Sequence, residues 1–217
     1  MHSEDPADPV RLDTRLAGQI KRYHTWPTIG GQTIADHCWN FLRIYLMVDE
    51  EPDIHLVREI MFHDIGEHYT GDPPYPMKRD NPSVKESLDR LEHWSYATQL
   101  EHWNAFFPVA VSPEDRILLK QIEHVEFAEF GMDQILLGNN HGMIVADRCL
   151  KAVYNWNPPP CPRLADYVTI RLKLFYRQYL SLRGDHSKDE WWNPLYWEVR
   201  YGGKRDASWR EPLQDGV

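Results

Sequence analysis

Cysteine is scarce and scattered. The 217 residues hold only Cys38, Cys149 and Cys161, with no C-x-x-C pair among them. An odd number at wide spacing supports neither a disulfide framework nor a thiolate zinc site, so any metal must be held by histidine and carboxylate. Long apolar runs are absent too. None approaches the roughly 18 to 20 consecutive apolar residues of a membrane span, and Met1-His2-Ser3-Glu4-Asp5-Pro6 has neither the basic nor the apolar segment of a signal peptide. The expectation is a soluble, cytoplasmic protein with no membrane partner. Positive charge is short: 24 Lys and Arg stand against 33 Asp and Glu, a net charge of -9 without a long basic run. Sequence-independent duplex binding depends on neutralising phosphates, so nucleic acid is not an expected partner. A small anion stays open if positive charge is concentrated locally. What the chain has in excess is histidine, 11 residues, and tryptophan, 9 residues.

No alternating strand pattern, internal repeat or low-complexity tract stands out, and the periodicity is helical. Thr33-Ile34-Ala35-Asp36 has the [ST]-x-x-[DE] form of a capped start. Trp39, Leu42, Ile44, Leu46 and Val48 follow as one broad apolar side. A second helix is expected from about Ile54 to His63, with Val57, Ile60 and Met61 at helical spacing, broken by Gly71-Asp72-Pro73-Pro74-Tyr75-Pro76. Ser83 opens a third, with Val84, Leu88, Leu91 and Trp94 on its stripe. Ser112-Pro113-Glu114-Asp115 is a strong start for a fourth, carrying Leu118, Ile122, Val125 and Ala128 and ending at Gly131. Two more stretches, near Gly142 to Trp156 and Arg163 to Leu180, flank Pro158-Pro159-Pro160. The pattern reads as all-α: a flexible N-terminus (1-12), one helical domain (13-182) and a Trp-rich C-terminal extension (183-217) packing on it.

Chemistry concentrates in one stretch. His37 lies inside the first helix, and the adjacent pair His63-Asp64 ends the second. Imidazole with carboxylate suits Zn, Fe, Mn or Co, and neighbouring residues reach one ion only where a helix end orients them. Glu67 follows Asp64 by one helical turn, and Asp72 sits in the Gly-Pro turn. Two carboxylates beside a metal are what water activation and leaving-group protonation require. The bland alternative is a charged helix end followed by a proline loop.

The run His63-Asp64-Ile65-Gly66-Glu67-His68-Tyr69-Thr70-Gly71-Asp72-Pro73-Pro74-Tyr75-Pro76-Met77-Lys78, with His37 upstream, resembles the HD superfamily of metal-dependent phosphohydrolases. Within it the pattern is similar to the bacterial 5'-deoxynucleotidases and the phage dATP triphosphohydrolases, over roughly residues 20 to 155. The resemblance implies an HD-domain helical bundle and one divalent ion (Zn, Co or Mn, with Mg as a further choice) on His37, His63, Asp64 and a fourth carboxylate. The family places that carboxylate as an aspartate, often in an Ala-Asp pair, which would suggest Asp147. Spacing back from Gly138-Asn139-Asn140 favours Glu123 instead, and both stay open.

The same resemblance makes Glu67 the residue that orients or deprotonates the attacking water, with Asp72 assisting. Both could instead be structural. Arg22 and Lys78 are the implied phosphate contacts and Lys120 a weaker third. Trp26 would pack on a sugar without a 2'-hydroxyl, or anchor the core, and His24 and His68 could line the pocket. Thr25 departs from the deoxynucleotidases, which carry arginine before the tryptophan. That tilts the expectation toward a dNTP triphosphohydrolase of the dATP type releasing deoxynucleoside. A 5'-deoxynucleotidase acting on dNMPs and a catalytically silent nucleotide-binding HD domain are the alternatives. A cyclic-nucleotide phosphodiesterase is less attractive, because the extra histidines of a two-metal site are not found at a recognisable spacing. Large apolar helical faces and the Trp-rich tail lead us to expect a homo-oligomer, dimer or higher.

Overall fold

The computed structural model describes residues 14-102 and 111-183. The expected N-terminal segment, and all of the C-terminal extension after Arg183, lie outside the described residues. Those that are described are mostly helical, and none of their helices is long and apolar enough to cross a membrane. The chain divides into two compact units, Met1–Lys120 and Gln121–Val217.

The first unit begins with α1 (Thr14–Ala17) and a two-stranded antiparallel ribbon, β1 (Lys21–Arg22) with β2 (Gln32–Thr33). The helical periodicity gave no hint of this ribbon, because two-residue strands are too short to show alternation. Thr33 then caps α2 (Ile34–Val48): its side chain accepts from the Asp36 N–H while Asp36 accepts from the Thr33 N–H at 2.9 Å. Residues Ile34, His37, Cys38, Phe41, Ile44, Tyr45 and Val48 of α2 are buried, a 3-4 spacing that makes one true face. The apolar side expected from sequence merged two faces: Trp39 and Leu46 are exposed.

Asp53 caps α3 (Ile54–Phe62), which buries Leu56 and Ile60 and leaves Met61 exposed. The chain then forms α4 (Glu67–Thr70), α5 (Tyr75–Asp80) and α6 (Pro82–His102). The proline segment breaks the path as expected, yet its last two residues start α5, since proline is tolerated in a first helical turn where the missing N–H has no partner to lose. The stripe expected on α6 is turned outward, with Val84, Leu91 and Trp94 exposed. The inward face carries Ser95, Gln99 and Leu100, and the amide nitrogen of Gln99 is satisfied internally, donating to Ser95 Oγ at 2.9 Å and to the Ile65 carbonyl at 3.3 Å. Leu100 packs with Ala17 and Ile65, flanked by Phe62 and Tyr96.

A last helix, α7 (Pro113–Leu136), is capped by Ser112 as expected, with Ser112 Oγ accepting from the Asp115 N–H at 3.0 Å. Its residues from Gln121 on belong to the second unit. Gly131 does not end the helix but lets α8 (Gly142–Tyr154) approach: a Cβ on Gly131 would lie 2.7 Å from the Gly142 carbonyl oxygen. After the triple-proline break, α9 (Pro162–Arg183) contributes buried Leu164, Val168, Leu172 and Phe175. Within this unit Glu129 accepts from Tyr167 and Arg171, each at 2.6 Å.

Candidate metal centre

Two helix features place the histidines. His37 follows the Thr33 capping box by one turn and is fully buried on the inward face of α2. His63 is the C-cap of α3, where Nδ1 donates to the Ile60 carbonyl at 2.9 Å. A carbonyl can only accept, so this bond places a proton on Nδ1 and leaves Nε2 as the nitrogen that could meet a metal ion. That Nε2 is buried and makes no hydrogen bond. The two rings lie 5.3 Å apart, with Phe41 in edge contact with His63 at 5.6 Å.

Asp64 binds the pair electrostatically. Its Oδ1 is 3.2 Å from His63 Nε2 and its Oδ2 is 3.7 Å from His37 Nε2. Burial alone would push the His63 imidazole down, but the adjacent Asp64 charge reverses this and holds it well above its ordinary value. Burial likewise works against the Asp64 carboxylate, and His63, Arg22 and His37 together hold it far below the usual range.

Arg22 comes from the ribbon. Its Nη1 is 3.5 Å from Asp64 Oδ2 and its Nε is 4.0 Å from Asp72 Oδ2. Asp72 also accepts from the Tyr23 N–H at 3.3 Å. Tyr23 has φ of 56°, a left-handed conformation costly for a non-glycine residue, so the Asp72 bond helps hold a strained turn in front of the site. Glu67, the first residue of α4, is 7% exposed, and its Oε2 is buried without a hydrogen bond. Burial first, then the Asp64 and Asp72 charges, pushes its carboxyl up to about 9 against the opposing pull of Arg22 and Lys78.

His37 and His63, with the Asp64 carboxylate against both rings, are side chains that could hold a metal ion. Glu123 stands on α7 one turn after Lys120. Asp147 is on α8, paired with Lys151 one turn along at 2.5 Å. Two imidazoles with a carboxylate beside both, and a buried His63 nitrogen left without a hydrogen bond, are a donor set that fits a divalent transition metal.

No family model matches the chain, and no curated protein matches it either.

The remaining expected residues are less gathered. Lys78 on α5 reaches Glu92 Oε1 of α6 at 3.2 Å. Trp26 is half-buried in the turn after Tyr23, to whose carbonyl its own N–H donates at 2.9 Å. Thr25, His24 and Lys120 are exposed, and His68 packs edge-on against Tyr69 at 5.6 Å. Glu92 was not legible in the sequence: fourteen residues separate it from Lys78, across a helix break, and no motif spacing signals the pairing.

Proposed function

We propose that the protein is a metal-dependent phosphohydrolase of the HD type acting on 2'-deoxyribonucleotides, a dNTP triphosphohydrolase that releases deoxynucleoside and tripolyphosphate. The observation carrying this reading is Asp64 set against both imidazoles, His37 and His63, with a buried carboxyl, Glu67, one turn on. His37, His63, Asp64 and Glu123 would hold the ion. A divalent cation there supplies positive charge for phosphoryl oxygens and lowers the pKa of water at the site.

Glu67 then serves as base. Burial and the Asp64 and Asp72 charges raise its carboxyl, and positive charge brought to the site would favour the carboxylate that can take a proton. It takes a proton from water as the oxygen attacks the α-phosphorus. The bond to the 5'-oxygen breaks, and the leaving deoxynucleoside oxygen takes up the proton that Glu67 removed from water. Asp72 holds the Arg22–Tyr23 turn and keeps Arg22 beside Asp64, where the guanidinium can meet phosphate oxygens as a fork. Lys78 supplies a second, point-like positive charge. Trp26 is assigned to the sugar. The triphosphate preference rests on Thr25 and Arg22 in the segment before it.

Replacing Glu67 by Ala tests the assignment. The expected result is loss of dATP turnover by about three orders of magnitude with metal content retained. Turnover near the wild-type rate in Glu67→Ala would remove Glu67 from the chemistry.

A further inference from the structure

Three separate features of the first unit converge on Glu92. Its backbone rests on Gly66, where a Cβ would lie 2.2 Å from the Glu92 carbonyl oxygen, 2.8 Å from its carbonyl carbon and 3.0 Å from its Cα. Its side chain takes the Lys78 ammonium at 3.2 Å, with both side chains 21% exposed. The Thr70 hydroxyl, bonded to the Gly71 carbonyl at 2.9 Å, lies 3.3 Å from the same Glu92 oxygen. Gly66 directly precedes Glu67, and Thr70 and Lys78 flank the Asp72 turn. The Lys78 charge is also felt at Glu67, whose carboxyl it pulls down. Thus α6 is locked in register against the metal-site turn, and the residue at the lock neutralises a cation the site needs.

We propose that Glu92 is a positioning residue that holds the Lys78 ammonium beside the site and must yield it to an entering phosphoryl group, so that the carboxylate sets how strongly the site attracts anions. This rests on the phosphohydrolase reading above. A phosphate oxygen and the Glu92 carboxylate compete for one ammonium. The Glu92 charge therefore weakens binding of polyanions while keeping Lys78 in place between turnovers.

The test uses the full chain loaded with Mn, dATP as substrate and inorganic tripolyphosphate as competing anion. Glu92→Gln keeps an acceptor for Lys78 but removes the charge. KM for dATP is expected to fall about fivefold, the scale of one partly screened charge at a mostly buried position, with the change on KM rather than kcat. The inhibition constant of tripolyphosphate should fall in parallel, and in a Lys78→Met background the Glu92→Gln effect should vanish. Glu92→Asp, which keeps the charge on a shorter arm, should lie between Gln and wild type and carries the test if the Gln variant does not fold. A KM in the Glu92 variants equal to or above that of wild type, or an effect persisting without Lys78, overturns the proposal alone. No turnover by wild type on any nucleotide overturns the phosphohydrolase reading and this proposal with it.

Discussion

The Glu67 carboxyl makes a prediction that needs no substrate. Its ordinary value of 4.5 rises to about 9 in this fold, chiefly through burial and then through Asp64 and Asp72. A folded-state value above the unfolded one means the native protein binds the proton more tightly. The stability linked to that proton is present below about pH 4.5 and is lost progressively as pH rises toward 9. At about 1.4 kcal/mol per pH unit the ceiling is on the order of 6 kcal/mol. Relaxation and water entry in a site that must admit substrate reduce this to a few kcal/mol. Glu67→Gln mimics the protonated acid at all pH values and escapes the loss. Urea denaturation of chelator-treated wild type and Glu67→Gln at several pH values from 5 to 9 should therefore show a stability gap favouring Gln that widens with pH. Other titrating groups are common to both proteins and cancel. Parallel curves, or a gap that narrows with rising pH, would refute the electrostatic account of the site.

Two further outcomes follow from packing and ligation. Gly66→Ala must push the Glu92 backbone aside and should cost on the order of 3 kcal/mol, whereas Gly31→Ala, with nothing within 4 Å of an added Cβ, should leave the melting temperature nearly unchanged. Equal melting temperatures for the two variants would contradict the close α4–α6 approach. Glu123→Ala should reduce metal content measured by elemental analysis, whereas Asp147→Ala, whose carboxylate is paired with Lys151, should retain it. The reverse pattern would move the fourth ligand to α8.

The helical character and most helix starts were legible because caps are local chemistry: Thr33 with Asp36, and Ser112 with Asp115, need only three residues of spacing. Which face a helix buries was less legible. Periodicity alone placed Val84, Leu91 and Trp94 inward on α6, but the buried pair is Ser95 and Gln99, where the Gln99 amide nitrogen donates to Ser95 and to the Ile65 carbonyl. Such compensation depends on a partner distant in sequence. Gly131 misled for a related reason: a glycine inside a helix can mark a close helix contact as well as a helix end. At the candidate site, His37, His63, Asp64, Glu67 and Asp72 are compressed into recognisable spacing. The Nδ1 bond of His63 to Ile60 and the hold of Glu92 on Lys78 emerge only once the chain is folded.

The central claim is most directly tested by incubating chelator-treated protein with dATP, dAMP and ATP, with and without Mn, Co, Zn or Mg, and resolving the products by chromatography. The account predicts metal-dependent conversion of dATP to deoxyadenosine and tripolyphosphate, with ATP and dAMP spared. Orthophosphate from dAMP would instead make the enzyme a 5'-deoxynucleotidase. No turnover of any of the three nucleotides with any of the four metals would contradict the account.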